Sequence, residues 1–204
     1  LHGVGLSVVN ALSIELEVQV KRDGKVYHQK YSQGKPISEL QVTGETTETG
    51  TIVHFTPDPE IFPLREYHYD VLAQRLRELA FLNKGIEIEL VDDREPAKGE
   101  IFLYQGGIKQ FVEYVDHNKA PLHEVVYFEK TKNDVAVEGA LRYNSGYQET
   151  IFSFANNINT IEGGSHLSGF KTALTRVFNS FAKKNNGRED VRLAGDDVLK
   201  GLTA

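Results

Sequence analysis

Hydrophobic and polar residues along the chain follow two periods, and each period predicts one type of secondary structure. Apolar residues that recur every three or four positions predict an amphipathic helix, and strict apolar–polar alternation predicts a half-buried strand. The helical period occurs at residues 6–12, 67–82 and 108–115, in the run containing Phe170, Leu174, Val177, Phe178 and Phe181, and in a last turn at 195–199. The strand period occurs at residues 14–20, 25–31, 51–55, 86–90, 100–104, 125–129, 135–143 and 149–155.

Glycine-containing turns separate these segments. Asp23-Gly24 is a dipeptide that favours a tight hairpin turn, so the two strands beside it are expected to pair. Gly106-Gly107 divides the chain into two sets of strands and helices, and we place a domain boundary there, with one domain at 1–105 and a second at 106–204. Both halves mix strands with helices, which predicts an α+β fold. The apolar residues of the helix between Phe170 and Phe181 share one face, which we expect to pack into a core.

The composition is that of an ordinary globular protein. Of the 204 residues, 40% are hydrophobic and 25% are charged, which argues against disorder and collagen-like repeats. No apolar run approaches the ~20 residues of a membrane-spanning helix. Without cysteine there is no disulfide framework and no thiolate zinc site, and a cytoplasmic location is the default expectation. The sequence contains no methionine, so we expect it to be an excerpt of a longer chain that does not start at Leu1.

The distribution of charged and metal-ligating residues narrows the functional classes. A net charge of −6 argues against a surface that binds nucleic acid or anionic membrane throughout. The seven histidines are scattered along the chain, there is no cysteine to complete a zinc site with any of them, and there is no His-Glu-x-x-His motif. Asp196-Asp197 is more typical of a charged turn than of a cation site. We therefore expect no metal site in this sequence.

The glycine turn at Gly3 and Gly5 is the first candidate for chemistry. Glycines allow backbone amides to point toward one place, and the helix that follows adds unpaired amides and the positive end of its dipole. Such a place attracts phosphate, although Gly-x-Gly before a helix also occurs as an ordinary tight turn. The residues alone leave both interpretations open.

A longer string around this turn carries a family resemblance. Leu1-His2-Gly3-Val4-Gly5-Leu6-Ser7-Val8-Val9-Asn10-Ala11-Leu12 resembles the phosphate-loop motif in the ATPase domain of the bacterial DNA gyrase B family and its topoisomerase IV paralogue, which belong to the superfamily of Hsp90, histidine kinases and MutL. Other motifs follow in the family's order: Val42-Thr43-Gly44-Glu45-Thr46, Thr49-Gly50-Thr51, residues 75–83, Gly106-Gly107-Ile108-Lys109, Asn156-Asn157-Ile158, Glu162-Gly163-Gly164-Ser165-His166 and Thr175-Arg176. The resemblance covers nearly the whole chain, and residues 163–170 are more similar to gyrase B than to the paralogue.

The resemblance implies a fold and a nucleotide site. Residues 1–105 would form the back half of a GHKL-type (Bergerat) α/β sandwich ATPase domain, and residues 106–204 a transducer domain similar to the second domain of ribosomal protein S5. Backbone amides would surround the ATP phosphates at Leu1, His2, Gly3, Val4 and Gly5. Thr51 would reach the adenine directly or through water, and Arg22 matches an arginine that contacts aminocoumarin inhibitors at the pocket rim. The alternative for Thr51 is that it is a β-branched residue suited to a strand, and the alternative for Arg22 is that it is a solvated arginine beside a hairpin turn.

The family's catalytic groups lie outside this sequence. The glutamate that activates water, the asparagine that holds Mg²⁺ and the adenine-reading Asp-x-Gly-x-Gly motif precede the phosphate loop, and the lysine of a Gln-x-Lys loop follows the transducer segment. Phosphoryl transfer needs positioned water, metal and charge stabilisation together. We therefore expect no catalytic residue here, ATP and Mg²⁺ as cofactors of a longer parent, and no ATP hydrolysis by this chain alone.

Basic residues are concentrated between Gly163 and Arg188 of an otherwise acidic chain: Lys171, Arg176, Lys183, Lys184 and Arg188. If the apolar face of this helix packs on the core, Arg176 and Lys183 lie on the opposite side of the helix, whereas Lys171 and Lys184 lie at the edges of the apolar face. We predict that Lys171, Arg176 and Lys183 contact the phosphates of double-stranded DNA. In the family such charges would line the cavity between two transducer domains. A solvated helix face is the alternative.

Together these expectations describe the ATP-binding and transducer segment of a protein of the gyrase B type. The parent enzyme would couple ATP binding and hydrolysis to DNA strand passage and negative supercoiling. Two copies of the B protein would dimerise when ATP binds and act with two copies of the gyrase A protein as an A2B2 heterotetramer, without a membrane partner. The alternatives are the corresponding ATPase protein of topoisomerase IV, a mismatch-repair enzyme of the same superfamily, and a nucleotide-sensing scaffold without turnover.

Overall fold

The computed structural model describes residues 3–186 and 192–204, which form two compact units. The first unit is Leu1–Tyr67 and the second is His68–Ala204. No helix in the described part of the chain is long and apolar enough to cross a membrane.

The first unit is an antiparallel sheet with one short helix. Its elements are α1 (Gly5–Ala11), β1 (Ser13–Arg22), β2 (Lys25–Ser32), β3 (Lys35–Pro36), β4 (Gln41–Glu45) and β5 (Gly50–Pro57). The strand order is β3-β2-β1-β5, and β4 also pairs with β2. The predicted hairpin at Asp23-Gly24 is confirmed, because β1 and β2 pair from Leu16 opposite Tyr31 to Arg22 opposite Lys25.

The alternation along β1 gives the sheet two different faces. Leu16 is buried and shares its face with the apolar residues Val18 and Val20. The opposite face is polar, and there the His28 ring contacts the Glu17 carboxylate. The hydrogen bond to His28 lowers the pKa of Glu17, and Lys30 adds to this effect, whereas burial opposes it. Residues 17–21 are partly buried on both faces, so the alternation along β1 separates apolar from polar residues but not buried from exposed ones.

The second unit contains the remaining helices and three small sheets. Its elements are α2 (Tyr69–Leu82), β6 (Glu87–Asp92), β7 (Lys98–Leu103), α3 (Gly107–Val115), β8 (Val126–Lys132), β9 (Val135–Tyr143), β10 (Phe154–Ala155), β11 (Ile158–Asn159), α4 (Ser165–Asn186), α5 (Gly195–Leu199) and β12 (Leu202–Thr203). β6 pairs with β7, β10 pairs with β11, and β9 lies between β8 and β12.

Helix α2 has local sequence signals at both ends. Asp70 lies in its first turn, where a carboxylate interacts favourably with the helix dipole. At the other end, Asn83 donates to the Leu79 carbonyl from its side-chain amide at 2.7 Å and from its backbone amide at 3.1 Å. Phe81 near this end is buried and stacks on Tyr104 and Phe111, with ring centroids 3.6 and 5.0 Å away. These rings attach α2 to α3 and to the residue that directly follows β7.

In the second unit two predictions need correction and one strand had no prediction. Residues 149–155 are not one strand: only Phe154–Ala155 is, and Thr150 makes an isolated bridge to Thr203. Strand β12 was not predicted, although Leu202 is fully buried. On α4, Phe170 and Leu174 pack into the core as expected, but Val177 and Phe181 are 62% and 65% exposed. Periodicity placed them on the correct helical face, but no element of the described structure covers that part of it.

The predicted domain boundary near Gly106 stays a prediction. The division into compact units falls after Tyr67, so α2, β6 and β7 pack with the residues that follow them. That division describes packing in this chain and does not by itself assign functional domains.

Candidate functional site

The glycine turn at the beginning of the chain is open to solvent. Gly3, Val4 and Gly5 are all exposed, and Gly3 has a left-handed backbone with φ of +69°. Within the described residues, no atom lies within 4 Å of where a Cβ would stand on Gly3 or Gly5. Leu1 and His2, the other two predicted phosphate-loop residues, lie outside the described residues. The backbone at Gly3 is therefore accessible to a ligand and has a conformation that favours glycine.

Helix α1 follows this turn directly. Val4 occupies its N-cap position and supplies no side-chain hydrogen bond to the first turn. The first intrahelical bond runs from the Val8 amide to the Val4 carbonyl at 2.9 Å, so the amides before Val8 have no partner within the helix. Of these helix-end amides, those of Val4 and Gly5 are among the donors that the sequence assigned to phosphate.

Thr51 and Arg22 lie at one end of the first sheet. Thr51 on β5 pairs with Val20 on β1, and Arg22 follows Val20 by two positions, so the residues share one face as diagonal neighbours. Both are exposed, and the Arg22 Nε donates to the Asp23 carboxylate at 3.1 Å. They therefore lie side by side on one face at this end of the sheet.

An apolar cavity of about 260 Å³ lies elsewhere in the first unit. Its lining includes Val8 and Leu12 of α1 together with Phe55 and Pro57 of β5. Among the described residues, neither the Gly3 turn nor Thr51 contributes to that lining. This cavity is therefore not the predicted nucleotide site.

The predicted DNA-contacting residues of α4 differ in their surroundings. Arg176 and Lys183 are exposed and seven positions apart, which places them on one face about 10 Å apart along the helix axis. The Lys171 ammonium is half-buried and donates to the Glu149 carboxylate at 2.5 Å. Lys184 is exposed, and Arg188 lies outside the described residues. Arg176 and Lys183 are thus available to an external anion, whereas Lys171 already has a counter-charge.

A buried carboxylate, Asp116, was not singled out from the sequence. Its side chain is fully buried and accepts from Thr203 Oγ1 at 2.8 Å, from Arg142 Nε at 3.0 Å and from Asn144 Nδ2 at 3.0 Å. The Lys119 ammonium lies 3.4 Å away. Burial alone raises the pKa of Asp116, but the bonds from Thr203, Arg142 and Lys119 outweigh it, so the pKa lies below its ordinary value. This network attaches β12 to β9 and to the end of α3.

A second polar cluster forms where the chain leaves α2. Lys84 lies over the Tyr127 ring at 5.1 Å, and its ammonium is 3.6 Å from the Glu138 carboxylate. The Tyr127 hydroxyl lies 2.9 Å from a Glu138 oxygen and 3.1 Å from a Glu129 oxygen, and it can donate its single proton to either. The bond to Glu138, burial and the proximity of Glu129 raise the pKa of Tyr127 to about 12. These residues line a cavity of about 240 Å³. Lys84 already supplies a cation to these carboxylates, so the cluster joins α2 to the β8–β9 hairpin.

A third cluster joins α2 to the turn between β10 and β11. Asn157 in that turn contacts both Arg75 and Asn83. The Asn156-Asn157 dipeptide is a sequence signal for a tight hairpin turn, but nothing in the sequence identifies its partners on α2. Within residues 3–186 and 192–204, no three His, Asp or Glu side chains converge as a metal-ligand set.

Comparison with known proteins gives consistent matches. A family profile described as DNA gyrase B matches residues 107–204. The gyrase B protein of Bacillus mycoides is 55% identical over the whole chain, which spans 52% of that relative. For the gyrase B protein of Clostridium acetobutylicum, the identity is 56%, and the chain spans 32% of it. The chain thus spans between a third and a half of the curated relatives it matches.

Solved structures agree with these sequence matches. The 43K ATPase domain of Thermus thermophilus gyrase B, in complex with an aminocoumarin, matches with a TM-score of 0.83 and 39% identity, over 98% of this chain and 56% of that one. The gyrase B protein of Myxococcus xanthus matches with a TM-score of 0.83 and 27% identity, over 97% and 57%. These matches confirm the predicted mixed α and β fold class.

Proposed function

The chain belongs to the DNA gyrase B family, and from that premise we propose that it is the segment that binds ATP and transmits the nucleotide state toward DNA. The longer parent is then an ATP-dependent type II topoisomerase that introduces negative supercoils. One observation carries the proposal: the chain is 50–56% identical to relatives named as DNA gyrase B proteins along its entire length. Those relatives favour gyrase over the topoisomerase IV paralogue.

In this proposal the amides of Leu1, His2, Gly3, Val4 and Gly5 hold the ATP phosphates. The exposed left-handed turn at Gly3 supports this role, since it leaves the backbone accessible. Thr51 contacts the adenine, and Arg22, on the same sheet face, forms the rim where aminocoumarins bind. Mg²⁺ is held by groups that this chain does not supply, so the chain alone does not turn over ATP.

The proposed partners follow from the same family. Arg176 and Lys183, and more weakly Lys171, contact phosphates of double-stranded DNA. The gyrase A protein completes an A2B2 assembly, ATP binding brings two B proteins together, and the location is the cytoplasm. The exposure of the Arg176 and Lys183 side chains supports the DNA contact.

A pair of glycine substitutions in the longer parent tests the phosphate loop. Gly3 and Gly24 both have left-handed backbones, with φ of +69° and +77°, and neither has a described atom within 4 Å of a Cβ position. Alanine therefore imposes a similar backbone strain, about 1–2 kcal/mol, at either position. Only Gly3 belongs to the proposed loop. We expect Gly3→Ala to weaken ATP binding by roughly tenfold, because a turn that relaxes this strain moves its amides.

Gly24→Ala should leave the ATP affinity of the parent unchanged. Calorimetry with a non-hydrolysable ATP analogue measures both variants. Equal affinities for the two variants would contradict the phosphate-loop assignment. Robust ATP turnover by the 204-residue chain alone would contradict the assignment of catalytic groups outside it.

A further inference from the structure

We propose that Asn157 is a coupling residue through which α2 controls the position of the β10–β11 hairpin. The consequence for gyrase rests on the function proposed above. In that function α2 belongs to the nucleotide-binding segment and the hairpin to the transducer segment. The contact itself is a property of the structure and can be tested without assuming any activity.

Helix α2, together with its C-cap residue Asn83, contacts Asn157 at two points. The Asn157 side-chain amide donates to the Asn83 Oδ1 atom at 2.9 Å. The Asn157 backbone carbonyl accepts from Arg75 Nη2 at 3.3 Å. Both the side chain and the main chain of this one turn residue are therefore bonded to α2. A shift of α2 relative to the hairpin breaks both bonds together.

The two α2 residues are themselves held in place. Arg75 Nη1 donates to the Glu78 carboxylate at 3.0 Å, and Glu78 is one helical turn further along. The Asn83 amide is fixed by its bond to the Leu79 carbonyl, which leaves its Oδ1 free to accept from Asn157. The positions of the donor and the acceptor are thus set by α2 and not by the hairpin.

The hairpin is too small to fix its own position. β10 and β11 contribute two residues each and form a separate two-stranded sheet. An isolated hairpin of two strands is at best marginally stable in water. Its other contacts include hydroxyl bonds between Ser153 and Thr160 and a ring contact from Phe154 to Phe111 with centroids 6.5 Å apart. Contacts at the turn therefore influence where the hairpin lies.

The chain provides a matched control for Asn157. Asn156 and Asn157 occupy the same turn and both have left-handed backbones, with φ of +49° and +65°. Glycine adopts this conformation readily at either position. Within the described part of the chain, the Asn156 side chain has no hydrogen-bond partner. Asn157→Gly therefore removes a side-chain bond to α2, whereas Asn156→Gly makes the same backbone change without that loss.

Amide hydrogen exchange of the 204-residue chain tests the coupling directly. We expect Asn157→Gly to speed exchange at β10, β11 and Thr160 by about threefold or more, the effect of losing one net hydrogen bond. Asn156→Gly should leave these rates within error of the unaltered chain. Arg75→Gln, which removes the second contact from the helix side, should also speed exchange in the hairpin. Equal rates for both asparagine variants, or no effect of Arg75→Gln, would overturn the proposal.

ATP turnover by the longer parent, measured with and without linear double-stranded DNA, tests the consequence. We expect Asn157→Gly to lower the stimulation by DNA about threefold while turnover without DNA is unchanged, and Asn156→Gly to lower neither. Equal stimulation in both variants would overturn the coupling role. If the unaltered parent hydrolysed no ATP, the proposed function would fail, and the exchange experiment would still decide whether Asn157 holds the hairpin.

Discussion

Removing the Asp116 carboxylate tests whether the buried network holds the end of the second unit together. Asp116→Ala deletes the acceptor shared by Arg142, Asn144 and Thr203, and it removes the nearest negative charge from Lys119. The Arg142 side chain is only 11% exposed, so it cannot replace this partner with bulk water without moving. The substitution therefore leaves a largely buried cation without its carboxylate, whereas Asn144 and Thr203 lose their charged acceptor but keep their bond to each other at 3.3 Å.

The expected loss of stability follows from that geometry. Breaking a buried ion pair by removing one partner costs about 3–5 kcal/mol, because the remaining charge stays desolvated. The neutral donors from Asn144 and Thr203 bond to a charged acceptor, and each such bond contributes about 1.5–3 kcal/mol. These contributions are not additive within one network. We therefore expect the free energy of unfolding of the second unit to fall by about 3–5 kcal/mol.

Urea unfolding followed by tyrosine fluorescence measures this change. Six of the nine tyrosines lie in residues 68–204, so the signal reports mainly on the second unit. Asp197→Ala is the control, because the Asp197–Lys200 pair is 3.0 Å long but more than half exposed on both sides. An exposed pair of this kind contributes little. The reasoning is refuted if Asp116→Ala lowers stability by less than about 1 kcal/mol or no more than the control.

The same network has a defined pH dependence. The pKa of Asp116 is lower in the folded chain than its ordinary value, so its contribution is complete above about pH 4. That contribution is lost as the pH falls through the folded-state pKa. The stability difference between the unaltered chain and Asp116→Ala should therefore shrink below about pH 4. A difference that stayed constant with acidification would mean that the carboxylate charge is not what stabilises this region.

Two further predictions concern charge and backbone conformation. In the longer parent, Arg176→Ala should reduce the slope of log affinity for double-stranded DNA against log salt concentration by about one. Lys171→Ala should change this slope less, because Glu149 already neutralises that lysine. Equal slopes for the two variants would contradict this prediction. Gly201→Ala should destabilise this chain well beyond the effect of Gly24→Ala in urea unfolding. Both glycines are left-handed, but a Cβ on Gly201 would meet backbone oxygens at 2.6 and 2.7 Å.

Elements with a strict period over many residues could be predicted from the sequence alone. β1 and β2 follow from alternation and the Asp23-Gly24 turn, and α2 follows from its repeat and its Asn83 end signal. The partner of β1 is the next strand in the sequence, and α2 packs on its core through one apolar face. Local information is sufficient for such elements.

Elements defined by distant partners could not be predicted in this way. Residues 150–152 alternate as a strand would, but their backbone bonds go to Leu202 and Ala204, about fifty residues away. β12 is only two residues long, and its burial comes from β9 on one side and Thr150 on the other. β4 is polar and was not predicted because it is joined to β2 by its backbone and not by an apolar face. Hydrophobic periodicity depends only on side chains, whereas these segments are held in place by main-chain hydrogen bonds.

Ion pairs between residues that are distant in sequence could not be predicted either, and this affects the candidate DNA-contacting residues. Lys171 has no acidic neighbour in sequence, yet Glu149, 22 positions earlier, lies 2.5 Å from it. Arg176 and Lys183 lie on the same helix and remain exposed, and no carboxylate among residues 3–186 and 192–204 pairs with them. The sequence placed Lys171 nearer the core than Arg176 and Lys183 but assigned all three to DNA, whereas the fold separates one neutralised cation from two available ones. An acidic chain can therefore present a positive surface only where its folding leaves cations unpaired, and on α4 that surface is narrower than the sequence predicts.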